Sequence, residues 1–394
     1  MLHLFSYFKI LNMNETAMIP LTDKQVMDVL NHKKTVLLIP ALTYTVILMV
    51  IGLIGNPLAI YIYGWRWQKT TTRNFLLCIS IIDLINCLLT MPTEIALMES
   101  FFYFENEHVC KMSRFTTYVL NNTTSLILVL IAIDRYIRIC RPHTKPIPYR
   151  GAFVGSGIAV LVGISVSWPA LILYGRREVV LPLPGRNVTG VMCLVKSDYV
   201  QTEYPFAFFI YLWIGVTVTA IVIVIMYFMI GKEVLRRKRE RKAKMKLMND
   251  TLKRFQMNRR SVTSNGRNRD REESIQLCEL SIMCTPKFKP GKSTLMLFAI
   301  AVVYLLSFVP FLIVITIRTI RGEQFYDNLS RGEQVVVNIF IRSYLFNNCF
   351  NPVVYGLCNS KFRLEVRDIY LRLCKCQGQD DFPIPRSNST NIDR

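Results

Sequence analysis

Histidine is scarce in this chain, with four among 394 residues. His3, His32, His108 and His143 all fall outside the apolar stretches. No imidazole is left there to ligate a metal or act as a general base, which excludes an intramembrane metalloenzyme or hydrolase and with it any catalytic residue. Acid is also short, with 27 Asp and Glu against 48 Lys and Arg and a net charge of +21. Internal repeats with matched broken helices are not visible, which argues against a transporter. The opening "MLHLFSYFKIL" lacks a basic lead and a small-residue cleavage site, so no removable signal peptide is expected.

What is abundant is apolar length. The chain is 52% hydrophobic, and runs near or above the roughly 20 residues that cross a bilayer occur at Val36–Gly64, Phe75–Met98, Met112–Ile139, Ala152–Tyr174, Pro205–Ile230, Thr294–Ile317 and Val335–Leu357. These seven runs predict an all-α membrane protein. Pro57, Pro92, Pro169, Pro310 and Pro352 interrupt them, which a bundle tolerates because neighbouring helices re-satisfy the freed backbone groups. Small residues around Ser156 in "VGSGI" read as close helix packing.

Lys and Arg crowd "WRWQKTTTR", "RYIRICRPHTKPIPYR", the link from Arg236 to Lys292 and the tail from Lys361. All four lie on one side of a seven-span chain, which the positive-inside rule assigns to the cytosol. The N-terminus is then extracellular, the C-terminus cytosolic, and the plasma membrane the expected location. The positive charge reports topology and needs no nucleic acid. The expected division is an extracellular segment over 1–35, a seven-span unit over 36–357 with a basic third cytosolic loop at 236–292, and a tail over 358–394. The polar middle of that loop, "NRRSVTSNGRNRDREES", reads as solvated linker.

On this topology only Cys110 and Cys193, of 11 cysteines, face the oxidising side, so a disulfide between them is expected. It would pin "REVVLPLPGRNVTGVMCLV", two β-rich arms around Pro-Gly, over the mouth as a hairpin lid. Asn14, Asn187 and Asn328 open external N-x-S/T triplets and are candidate glycosylation sites. In the tail, Phe362, Val366, Ile369 and Leu373 share a helical face, predicting an amphipathic helix on the inner leaflet, with Cys374 and Cys376 as candidate palmitoylation sites.

Polar residues inside the apolar runs are costly unless paired or solvated. Asn56, Asp83, Thr124 and Asn351 fall at similar depth on four different runs, and Asn347 offers a further oxygen. Together they could hold waters or a small cation, which would make sodium an allosteric ion and the only cofactor expected.

The ordered set Gly55-Asn56, Asp83-Leu84, Cys110 before Asp134-Arg135-Tyr136, "SFVP" at Ser307–Pro310 and "NPVVY" at Asn351–Tyr355 resembles the rhodopsin-like (class A) G-protein-coupled receptors, with the peptide-receptor type as the expectation, over essentially the whole chain. The resemblance implies a receptor that activates a heterotrimeric G protein and is handled by receptor kinase and arrestin. It implies a switch at Asp134, Arg135 and Tyr136, with Tyr227, Tyr355 and Thr294 supporting it, and a relay through Tyr304, Phe308, Pro310, Asn351 and Pro352. Departures are Phe308 where the family usually has Trp, Thr219 where a Pro is usual, and Thr294 in place of an acid that clasps the switch arginine. Thr117 stands where amine receptors carry Asp, and the seventh run has no Lys for a retinal Schiff base. The acids Glu94, Glu99, Glu105 and Glu107 on one side of the mouth, the bases Arg318, Arg321 and Arg342 opposite, and Tyr118, Asn121, Phe311 and Tyr344 deeper suit an extracellular peptide. A non-peptide small molecule or a lipid is the alternative.

Overall fold

The computed structural model describes residues 22–183, 186–261, 292–321, 325, 326 and 329–375. Helix α1 runs Asp23–Arg66, α2 Thr71–Glu99, α3 Glu107–Cys140 and α4 Tyr149–Leu173. A hairpin follows, β1 Tyr174–Leu183 and β2 Arg186–Val195, then a short helix α5, Ser197–Val200. After it come α6 Tyr204–Ser261, α7 Lys292–Arg321, α8 Arg331–Phe340, α9 Leu345–Cys358 and α10 Ser360–Lys375.

Six of these helices are long and apolar enough, taken singly, to cross a membrane. The seventh crossing, expected as one run over Val335–Leu357, is made by α8 and α9 in series. Between them the backbone tightens into i→i+3 bonds, Arg342 N–H to Ile339 O at 3.0 Å and Ser343 N–H to Phe340 O at 3.1 Å. That geometry is less favourable than an α-turn and marks a bend with a structural cause. Here the Ser343 hydroxyl donates to Ser307 O on α7 at 2.7 Å. Ser307 is three residues before Pro310, in the turn where the proline ring disrupts the helix ladder.

Two expected boundaries shift. Helix α1 starts at Asp23, with Thr22 and Gln25 forming a capping box, so residues 23–35 of the segment expected ahead of the first span are part of its helix. Helix α6 continues to Ser261, well into the stretch expected as loop over 236–292. In α2, Pro92 follows a π-helical turn at Asn86–Thr90, where Met91 N–H reaches Asn86 O. The wider turn makes room for the proline ring, and the Thr93 hydroxyl caps Leu89 O at 2.9 Å.

The core is the bundle axis, with Tyr63, Ile79, Ile127, Ile300, Tyr304 and Tyr355 fully buried. Large apolar side chains face outward, Ile54, Leu161 and Phe228 being 68%, 65% and 71% exposed. Such a surface is stable only with hydrocarbon as solvent, so the chain is a multi-pass membrane protein. At one end α10 is fastened to α1, because Arg66 pairs with Glu365 at 2.9 Å and Asp368 at 2.6 Å. Phe362, Val366 and Ile369 therefore pack against the bundle, whereas the sequence placed this face on a lipid leaflet.

Candidate functional site

At the Cys110 end of the bundle a lid is built from three separate parts of the chain. The hairpin strands pair antiparallel, with Arg176 opposite Cys193 and Pro182 opposite Asn187. Cys110 at the start of α3 is bonded to Cys193 on β2, with Cα atoms 5.5 Å apart, as expected. The link between α2 and α3 then adds itself to β2, since Val191 N–H donates to Phe102 O at 2.8 Å and Phe104 N–H to Val191 O at 3.0 Å. The third part is the start of α1. Val26, Met27 and Leu30 are buried with Phe102, Leu181 and Val188 in a small core of their own. Asn31 accepts from Phe102 N–H at 3.0 Å and donates to Glu99 O at 2.9 Å.

Charges stitch the same parts together. Arg186 meets Asp23 at 3.2 Å, and Tyr103 donates to Asp28 at 2.7 Å. Burial, and then the Asp28 carboxylate, push the Tyr103 phenol up to about 12. Glu107 takes Lys111 at 2.6 Å and Lys196 at 2.7 Å. Its hydrogen bond raises the Lys196 ammonium above its ordinary value. The role of residues 23–35 escaped the sequence reading, although Val26, Met27, Leu30 and Lys34 recur at helical spacing.

Beneath the lid, two residues of the expected rim of opposed charges, Glu94 and Arg342, instead meet inside the protein. Glu94 on α2 is 2% exposed, too deep to be a rim acid. Its Oε1 lies 2.6 Å from Arg114 on α3, and its Oε2 lies 3.3 Å from Arg342 in the bend between α8 and α9. Arg342 comes from the expected set; Arg114 was missed because one polar residue on a helix gives no sign of which way it faces. Tyr118 and Tyr174 share a hydroxyl contact at 3.0 Å, and Phe311 meets Tyr344 edge-on at 5.4 Å. Asn121 has a buried side-chain oxygen without a hydrogen-bond partner among the described residues. Thr117 is buried and spends its hydroxyl on Ser113 O at 2.8 Å. Arg318 lies 5.8 Å from the Tyr326 ring centre.

Halfway along the bundle, Asn351 donates to Asp83 at 2.7 Å and Asn56 donates to Asn348 O at 2.9 Å. Asn56, Asp83, Asn347 and Asn351 are 0% exposed and Thr124 is 1% exposed. Asn56 Oδ1, Asp83 Oδ1, Thr124 Oγ1, Asn347 Oδ1 and Asn351 Oδ1 have no donor among the described residues. Buried acceptor oxygens, one of them on a carboxylate, are of the chemical type that suits a hard cation or ordered water. In donor chemistry these oxygens fit a sodium ion.

At the far end Asp134, 1% exposed, is held by the adjacent Arg135 and by Arg138 at 3.0 Å. Arg135 also donates to the Thr72 hydroxyl on α2 at 2.8 Å, and Arg138 to Thr71 at 3.0 Å. The clasp expected from Thr294 on α7 thus falls to Thr72, because Asp134 turns both arginines toward α2. Tyr136 is half-buried. Tyr227 packs edge-on to Phe298 at 5.5 Å, Tyr355 to Tyr63 at 5.3 Å, and Tyr304 lies 4.7 Å from Phe308. The hydroxyls of Tyr227 and Tyr355 are buried without a partner among the described residues. Tyr304 shares its hydroxyl with Ser125 at 2.8 Å. Pro310 sits inside α7 and Pro352 inside α9.

Asn187 is exposed on β2. Asn14, Asn328 and Cys376 lie outside the described residues, as does the side chain of Cys374.

Seven crossings, a disulfide-pinned lid at one end and an Asp-Arg clasp at the other define a helical receptor bundle. The profile described as "7 transmembrane receptor (rhodopsin family)" matches residues 55–355, and the chain belongs to that family. The family is one of signalling receptors rather than enzymes. Among known proteins, the chain is similar to neuropeptide receptor npr-1 of Caenorhabditis elegans, 25% identical over 44% of this chain and 37% of the relative. Nematocin receptor 1 of the same organism is 30% identical over 45% of this chain and 46% of the relative. Cholecystokinin receptor type A of Cavia porcellus is 24% identical over 82% and 78%. The chain thus spans less than half the length of the first two of these.

Proposed function

We propose that this protein is a receptor for an extracellular peptide, and that it activates a heterotrimeric G protein when the peptide binds beneath the lid. The observation that carries the reading is the buried Glu94, Arg114 and Arg342 cluster. It ties α2, α3 and the α8–α9 bend directly under the hairpin, so a ligand there changes contacts on three crossings at once. Relatives named for neuropeptides, nematocin and cholecystokinin support a peptide over a small molecule or lipid.

The lid end is the extracellular side, with Asn14, Asn187 and Asn328 as glycan acceptors, and the Arg135 end is cytosolic. The G protein, receptor kinase and arrestin then meet that end, with α10 beside the inner leaflet and Cys374 and Cys376 as palmitoylation sites. The Asp134 to Arg135 contact acts as a two-state element that ligand binding biases. Release of Arg135 from Asp134 and Thr72 makes it available to the G protein, with Tyr227 and Tyr355 swinging to support it and Tyr304, Phe308, Pro310 and Pro352 relaying the change. Asn56, Asp83, Thr124, Asn347 and Asn351 would hold a sodium ion, which would supply positive charge to Asp83 and favour the closed arrangement.

The direct test is a secreted-peptide library applied to cells expressing the full chain, reading calcium and cyclic AMP. The expected result is a response that Arg135→Ala abolishes; a response only to lipid or amine pools would overturn the peptide reading.

A further inference from the structure

Among the described residues, the charges beneath the lid do not balance. Two guanidiniums, Arg114 and Arg342, share one carboxylate, and both oxygens of Glu94 are already engaged. Arg342 meets Glu94 Oε2 through its Nε at 3.3 Å, and its Nη1 donates to Asn338 O at 3.0 Å. A third guanidinium, Arg318, lies against the Tyr326 ring, and the Lys34 ammonium lies 5.0 Å from Phe101 and 5.8 Å from that same Tyr326 ring. Counting Arg114, Arg342 and Glu94 alone, the cluster among the described residues carries a net positive charge. Among the described residues, Glu94 is the one carboxylate paired with Arg114 or Arg342, while Glu107 is taken by Lys111 and Lys196, Asp28 by Tyr103 and Asp23 by Arg186.

Uncompensated positive charge in a poorly solvated interior is costly, and a ligand anion relieves it. Guanidinium groups take a carboxylate in a two-pronged hydrogen-bonded contact that fixes orientation as well as adding affinity. A ligand cation, by contrast, would find Glu94 occupied and two arginines repelling it.

We propose that the site under the lid is built for a peptide carboxylate, which docks between Arg114 and Arg342 in competition with Glu94. The proposal rests on the peptide-receptor reading for its ligand class and adds the sign of the charge the ligand must bring. The same carboxylate chemistry could come from a free C-terminus or from an Asp or Glu side chain. Tyr118, Tyr174 and Tyr344 beside the arginines supply aromatic walls for the flanking residues.

The test uses the full chain purified in detergent and follows the rise in its unfolding temperature with synthetic hexapeptide pools. One pool is acid-free with an amidated C-terminus, one is acid-free with a free C-terminal carboxylate, and one is amidated with a fixed Glu. Stabilisation by either acidic pool but not by the neutral pool is expected, and which acidic pool acts identifies the source of the carboxylate. In Arg342→Gln or Arg114→Gln the same shift should need at least about tenfold more peptide, the usual scale for losing a charged hydrogen bond. Glu94→Gln should respond more strongly than wild type, because it removes the internal competitor; a purely structural role for Glu94 predicts the reverse. Equal stabilisation by the neutral pool, no stabilisation by any pool, or an acidic-pool effect untouched by both arginine variants would overturn the proposal. Stabilisation by hexanoate with all peptide pools silent would overturn both it and the peptide reading. Acidic pools that stabilise the purified chain yet evoke no cellular signal would uphold the site and count against the signalling role.

Discussion

Asn351 on α9 donates its side-chain amide to Asp83 on α2 across 2.7 Å, and both residues are completely buried. The contact leaves Asp83 Oδ1 and Asn351 Oδ1 without donors among the described residues. A cation that binds them only in one arrangement of the bundle shifts the equilibrium by its differential affinity. In membranes holding the receptor and G protein, replacing potassium by sodium should lower basal nucleotide exchange in wild type. Asp83→Asn should abolish that difference. Equal sodium sensitivity of the two proteins would reduce Asp83 to a member of a water network.

The clasp on Arg135 is shared between Asp134 and Thr72. The Thr72 contact is a hydrogen bond from a charged guanidinium, worth on the order of 1.5 kcal/mol, roughly a tenfold change in a two-state population. Thr72→Val should therefore raise basal nucleotide exchange by about that factor, and Asp134→Asn should raise it further. Arg135→Ala should remove exchange while leaving peptide affinity nearly intact. Unchanged basal exchange in Thr72→Val would mean that its hydroxyl does not restrain the arginine.

Cys110 and Cys193 form one bond, so their substitutions cannot add. Cys110→Ser and Cys193→Ser should each lower surface expression or peptide binding to the same degree, with the double variant no worse than either. Additive losses in a cell-surface binding assay would contradict a shared disulfide.

Met27 is 4% exposed and sits in the small core under the hairpin. Met27→Ala should loosen the lid by about 2–3 kcal/mol, the lower part of the usual range for emptying a buried site. Hydrogen exchange should show faster amide exchange across β1, β2 and residues 101–104, with the bundle helices unaffected. Uniform acceleration throughout the chain would show that the lid is not a separate cooperative unit.

Gly163 on α4 faces α3 so closely that an added Cβ would lie 2.9 Å from the Val119 carbonyl oxygen and 2.5 Å from Thr123 Oγ1. The backbone cannot yield as a flexible side chain can. Gly163→Val should destabilise the detergent-solubilised protein by about 1–3 kcal/mol through overpacking. Gly157→Val, at an open position on the same helix, should be close to neutral in the same unfolding assay.

The sequence by itself determined the membrane bundle, because apolar length and the segregation of basic residues are additive properties that need no knowledge of contacts. It also determined the Cys110 to Cys193 pairing, since topology left two cysteines on one side, and it brought Asp83 and Asn351 to one depth, since a helix rises by a fixed amount per residue. Tertiary structure decided the rest. Arg114 joined Glu94 and Arg342, and Thr72 rather than Thr294 met Arg135, because the rotation of a helix about its axis is set by all its neighbours. The start of α1 became part of the lid through side chains that pack only against a hairpin more than 140 residues away in sequence. The bend at Ile341–Tyr344 followed from a hydroxyl meeting a carbonyl on another helix. Period and hydropathy are written along one chain, whereas the partner of a buried charge is fixed only when the helices meet.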